Sequence, residues 1–175
     1  MTAGIALILL VAAQRLAELV FAARNARRLM VAGAVEAGRA HYPVVLTFHG
    51  AWLAANVLAA LDTARFDVVA LAVFVVLQAA RSWVIATLGA RWTTRIIVTA
   101  GRPLERRGPY RWLDHPNYLV VAGEVAALPM VLGAWPIALA FSALHVPLLV
   151  HRIRTEDAAL EAAGLRLPSD LRAPR

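Results

Sequence analysis

Apolar residues run in five long blocks: about Ala3 to Phe21, Pro43 to Leu61, Asp67 to Leu88, Tyr118 to Leu132 and Trp135 to Val150. Crossing ~30 Å of hydrocarbon takes ~20 helical residues, so these blocks predict spanning helices, the last two being short. The short pair meet at Gly133-Ala134-Trp135-Pro136, whose glycine and proline predict a tight turn and hence a helical hairpin. The expected fold class is all-α and membrane-embedded, with about five transmembrane helices in one domain over residues 1–175. Three helices fall within 1–88; a loop, the hairpin and a tail fall within 89–175. The first block lacks a basic segment in front of it and carries Arg24, Arg27 and Arg28 behind it, which predicts an uncleaved span and not a signal peptide.

Polar residues that enter these blocks fall on stripes. Tyr42, His49 and Asn56 are seven apart, and Gln14, Glu18 and Asn25 recur at helical spacing, each set on one helix face. Arg15 is placed to pair with Glu18 at i, i+3, and the third block adds Gln78 and Arg81. Intramembrane polar groups mark function by default, while the plainer reading is interhelical hydrogen bonding that holds a bundle together. Extending the last helix beyond the membrane brings His145, Arg152 and Glu156 within about 20° of one another, with Arg154 on the far side. The plain alternative there is a solvated tail with an Arg152–Glu156 pair.

Composition supports lipid as the solvent: 61% of residues are hydrophobic and the mean hydropathy is +0.64. The net charge of +7 comes from eighteen arginines and no lysine. Those arginines sit between apolar spans and not on a polar basic face, which argues against nucleic acid. Arg24, Arg27, Arg28, Arg39, the group from Arg91 to Arg111 and the tail from Arg152 gather on one side, and Arg65 alone falls on the other. The positive-inside rule then predicts an outside N-terminus and a cytoplasmic C-terminus in the inner membrane of a bacterium. Absence of cysteine excludes disulfides, thiolate metal sites and a catalytic thiol, and no metal site is expected.

The segment Gly108-Pro109-Tyr110-Arg111-Trp112-Leu113-Asp114-His115-Pro116-Asn117-Tyr118 is followed by Glu124, Pro129 and Arg152-Ile153-Arg154-Thr155-Glu156-Asp157 with Leu160. This ordered set resembles the isoprenylcysteine carboxyl methyltransferase family, whose C-terminal half carries G-x-Y-x-x-x-R-H-P-x-Y, a membrane hairpin and R-I-x-x-E-E-x-x-L. Two positions depart from the pattern. Asp157 replaces the second glutamate, and Asp114 stands where the family has arginine, so a contact made by that arginine must come from elsewhere, with Arg111 the candidate.

The resemblance implies S-adenosylmethionine as cofactor, S-adenosylhomocysteine as product, a cytoplasmic cofactor pocket and a lipid tunnel opening sideways into the bilayer. His115, Pro116, Tyr118, Trp112, Tyr110 and Glu156 are the expected cofactor residues. Pro116 suits a first helical turn, and free amides there, with His115, would seat the methionyl carboxylate. Glu156 would take the ammonium or ribose, and Tyr118 and Trp112 would offer faces to adenine. No G-x-G-x-x-G follows a strand, which argues against a Rossmann-type enzyme. Arg152 is expected to orient the acceptor oxygen with its planar fork, and Glu124 to shape the acceptor end or act as a base. Tyr42, His49 and His145 are the expected acceptor-binding residues.

The N-terminal residues Arg24-Asn25-Ala26-Arg27-Arg28-Leu29, Gly33-Ala34-Val35-Glu36, His41-Tyr42-Pro43 and His49 look like a bacterial branch of that family that accompanies type III polyketide synthases. That likeness implies O-methylation of a lipophilic alkylpyrone or alkylresorcinol in the membrane lipid. Two alternatives stand beside it: a carboxyl methyltransferase of prenylcysteine or another lipid acid, and a non-catalytic haem protein with His49 and His145 as axial ligands.

Overall fold

The computed structural model describes residues 3–62 and 65–166; Arg172 and Arg175 of the basic tail lie outside them. The helices are α1 (Ala3–Val31), α2 (Tyr42–Asp62), α3 (Val68–Leu88), α4 (Pro116–Val131) and α5 (Trp135–Ala162). Four are long and apolar enough to cross a membrane, and α4, with 16 residues, is a shorter apolar helix in their midst. The protein is an all-α integral membrane protein. Helices α1 and α5 run well past their apolar blocks, because alanine, arginine and glutamate continue the helix until Gly33 and Gly164 take left-handed φ of 85° and 66°.

One small element escapes the hydropathy pattern. Strands β1 (Val35–Ala37) and β2 (Ile96–Val98) pair antiparallel, with Val35 opposite Val98, and tie the α1–α2 connection to the segment after α3. Three residues carry too little alternation to announce a strand. The ribbon closes the basic end of the bundle.

Helix α4 lies at the centre. Its Val125, Leu128 and Val131 pack with Leu132 against Ile8, Val11, Trp52 and Phe74 from the other helices. Gly123 allows α3 to approach closely, since a Cβ there would meet Leu77 at 2.8 Å. Outward-facing Leu10, Leu58, Val76 and Leu139 are exposed, as suits a surface solvated by hydrocarbon. At the end opposite the ribbon, Asp67 caps α3 by accepting from the Val69 and Ala70 amides, while its own N–H donates to the Val131 carbonyl of α4 at 2.8 Å.

Polar residues inside the bundle form a charge-balanced knot. The Arg15 guanidinium reaches Glu18 and Glu124 at 2.9 Å each, and Arg81 reaches the same two carboxylates at 2.6 and 3.1 Å. Gln14 donates to Glu18 and to Gln78 at 2.9 and 3.0 Å. The expected Arg15–Glu18 pair therefore forms and extends into a junction of α1, α3 and α4. Two cations and two anions cancel where lone charges would be costly.

Candidate functional site

A cavity of about 520 Å³ runs from the basic end of the bundle to the charged knot. At the basic end it is bordered by the turn before α4 and by the exposed extension of α5, which bring together the two sequence motifs. Pro116 occupies the first helical turn and His115 the cap position, though the imidazole caps no amide. Instead its Nε2 lies 3.0 Å from Asp157 Oδ1 and its ring stacks on Tyr118 at 5.5 Å. The amide seat is narrower than the sequence implies: the Tyr118 and Leu119 amides both donate to the His115 carbonyl and Pro116 has none, which leaves that of Asn117.

Tyr118 donates its hydroxyl to Glu156 at 2.7 Å, coupling α4 to α5. Arg152 does not take up the Arg152–Glu156 pairing. Its Nη2 donates to the Thr94 carbonyl at 2.9 Å and its guanidinium lies 5.6 Å from the Tyr118 ring. Thr94 also meets the Tyr42 hydroxyl at 2.8 Å, so the segment before β2 binds α2 and α5 together. Arg154 is exposed on the far side, as the stripe predicts.

Of the expected site residues, His115, Tyr118, Tyr110, Glu156, Arg152, Tyr42, His49 and His145 all border this one cavity. The others do not. Trp112 is exposed outside it, edge-on to Trp83 at 5.9 Å and capped by Arg111, because the helical turn Gly108–Arg111 carries it away. Pro116 shapes the turn from behind. Asn56 is buried and donates to the Trp52 carbonyl at 2.8 Å. Glu124 sits in the knot, beside a separate pocket of about 50 Å³ that also touches Arg15, His49 and Arg81.

Three residues that sequence reasoning missed belong here. Arg166 reaches Asp114 and Asp157 and places Nη1 3.2 Å from His115 Nε2. It, and not Arg111, brings a guanidinium beside the histidine, and its distance in sequence hid it. Trp92 and Asn117 border the cavity with a buried indole N–H and a buried amide oxygen that have no hydrogen-bond partner among the described residues. A single tryptophan within Arg91-Trp92-Thr93-Thr94 was the available signal for the first.

The electrostatics of the rim are set locally. Hydrogen bonds from the Arg107 guanidinium and from the Arg107 and Arg106 amides hold the Glu105 carboxyl down at about 2. Burial raises the Tyr110 phenol well above its ordinary value, so it stays protonated and can donate. Deeper in, the imidazoles of His49 and His145 lie 6.0 Å apart, edge to face. Phe48 packs against each at 5.2 Å, which crowds the plane a porphyrin would need between them.

Buried polar atoms without partners along a cavity of this size fit a polar ligand, and S-adenosylmethionine presents the complementary carboxylate, ammonium and adenine groups. Asn117 and Glu156 supply acceptors, while Trp92, Arg166 and the Asn117 amide supply donors.

Comparison with known proteins identifies the family. Residues 68–162 match the isoprenylcysteine carboxyl methyltransferase (ICMT) family. The uncharacterized protein YpbQ of Bacillus subtilis (strain 168) is 35% identical over 164 residues, covering 91% of this chain and 98% of that protein. No solved structure matches. The family match, which spans more than half of the sequence, shows that the chain belongs to the isoprenylcysteine carboxyl methyltransferase family of membrane enzymes, which use S-adenosylmethionine.

Proposed function

We propose that this protein methylates an oxygen on the ring head of a long-chain alkylpyrone or alkylresorcinol, working from the cytoplasmic face of a bacterial inner membrane. The observation that carries this reading is the continuity of the 520 Å³ cavity, which joins the polar groups around His115 and Glu156 to a wall of Leu16, Leu19, Leu46 and Leu53. Leu16, Leu19 and Leu46 are themselves exposed on the lipid-facing surface. An acyl tail would lie there, between α1 and α2, while the head reaches inward.

The cofactor, when bound, would supply the electrophilic methyl group and leave as S-adenosylhomocysteine, while the acceptor hydroxyl enters as its oxyanion, its proton already given up to solvent. Arg166, His115 and the Asn117 amide hold its carboxylate end, and Glu156 holds its ammonium. Tyr118, pinned to Glu156, fixes that carboxylate in place. Arg152 orients the acceptor oxygen with the part of its fork not turned to Thr94. Enclosure excludes water and aligns oxygen with methyl, which is the main contribution such a transfer needs. A type III polyketide synthase would supply the acceptor, in line with the N-terminal residues from Arg24 to His49.

The test is transfer of radiolabelled methyl groups by detergent-solubilised protein to an alkylpyrone, an alkylresorcinol and a prenylcysteine. Labelled ring heads with an unlabelled prenylcysteine are expected. Labelling of the carboxylate alone overturns the substrate assignment.

A further inference from the structure

The inner part of the cavity carries two imidazoles that the transfer chemistry does not use. His49 Nδ1 lies 2.9 Å from the Val45 carbonyl one helical turn away. A carbonyl oxygen can only accept, so in the neutral ring Nδ1 holds the proton and Nε2 keeps a lone pair. That nitrogen has no partner among the described residues. Its ring borders both the large cavity and the adjoining small pocket. The guanidiniums nearby, Arg15 and Arg81, are engaged with Glu18 and Glu124. Beside them the cavity wall therefore presents a hydrogen-bond acceptor at a fixed position.

We infer that His49 reads a free hydroxyl on the acceptor head, accepting its hydrogen bond at Nε2 while another oxygen of the same ring faces the methyl donor. This rests on the ring-head reading above and narrows it to the resorcinol, since in a 4-hydroxypyrone the one ring hydroxyl is itself the methyl acceptor and leaves nothing to donate to Nε2. A ring with a second hydroxyl satisfies Nε2. A head lacking that donor leaves the nitrogen unsatisfied in a dry site, and a carboxylate brings lone pairs against a lone pair. His145, edge-on at 6.0 Å and stacked on Phe48, limits how far the His49 ring can turn away.

Binding separates this inference from the catalytic reading. An alkylresorcinol and the corresponding alkylphenol, which lacks one hydroxyl, are titrated calorimetrically into solubilised protein saturated with S-adenosylhomocysteine. The wild type should prefer the resorcinol by roughly ten- to a hundredfold, the scale of one buried hydrogen bond. His49→Phe keeps an aromatic ring against Phe48 and removes the acceptor, so its preference should fall to near unity with cofactor affinity unchanged. His49→Gln, whose amide oxygen can still accept, should recover part of it. A preference that survives in His49→Phe overturns the inference even if the protein methylates both ring heads. A wild type that binds the resorcinol selectively but labels only prenylcysteine instead overturns the proposed function and leaves the role of His49 standing.

Discussion

The Trp52 indole on α2 donates to the Val125 carbonyl on α4 at 3.1 Å, and that carbonyl is the one Pro129, four residues on, has no N–H to reach. A proline in a helix interior orphans the carbonyl one turn before it. In hydrocarbon no water can repair the loss, and the tryptophan does so while packing the core.

Trp52→Phe should therefore cost about 1–3 kcal/mol beyond its small loss of packing, since it strands a buried acceptor. Pro129→Ala restores the helical donor, so the same Trp52→Phe change in that background should cost markedly less. Thermal unfolding of the four proteins in detergent closes the cycle. Equal costs in both backgrounds would show that the indole contributes packing and nothing more.

The knot makes a different prediction. Arg81→Ala leaves Glu124 and Glu18 sharing Arg15, and stripping one partner from such a buried network costs on the order of 3–5 kcal/mol. Removing one charge of each sign together, as in Arg81→Met with Glu124→Leu, leaves the Arg15–Glu18 pair intact and should be tolerated far better. Yield and melting temperature read the difference. Glu124→Gln also separates the expected base from the carboxylate of the knot: a base loses turnover at unchanged melting temperature, whereas a carboxylate that only holds the bundle loses both.

Much of this bundle was legible because hydrocarbon imposes a simple rule, that long apolar runs become helices, and the hairpin at Gly133 to Pro136 follows from it. Stripes at helical spacing likewise singled out Tyr42, His49, His145, Arg152 and Glu156, all of which border the one cavity. Spacing fails where the backbone turns. Trp112 lies two positions from Tyr110, yet the turn Gly108–Arg111 sends one into the cavity and the other outside. Arg166 was hidden for a related reason: only the extension of α5 and the turn after it bring it back to Asp114, and no local pattern encodes that return. Asn56 shows that a stripe has a limit too, since one more heptad beyond His49 leaves the cavity and enters the packed core.

Arg152 carries the last prediction. Its guanidinium stands where α5 leaves the apolar zone, between the Thr94 carbonyl, the Tyr118 face and the cavity, while Arg154 points to solvent. If the fork orients the acceptor oxygen, Arg152→Lys keeps the charge and loses the planar, two-pronged geometry. Turnover should then fall by roughly ten- to a hundredfold, about 1.4–2.7 kcal/mol of transition-state stabilisation. Arg154→Lys should leave the rate unchanged, because both side chains would serve topology equally well. Initial rates of radiolabelled methyl transfer to an alkylresorcinol are compared for the three proteins, with melting temperatures taken in parallel. Lysine also loses the second prong that could hold Thr94, so a lowered melting temperature with normal turnover would make Arg152 a strut for the β2 segment. Loss of turnover at an unchanged melting temperature, confined to the Arg152 variant, is what a catalytic contact requires.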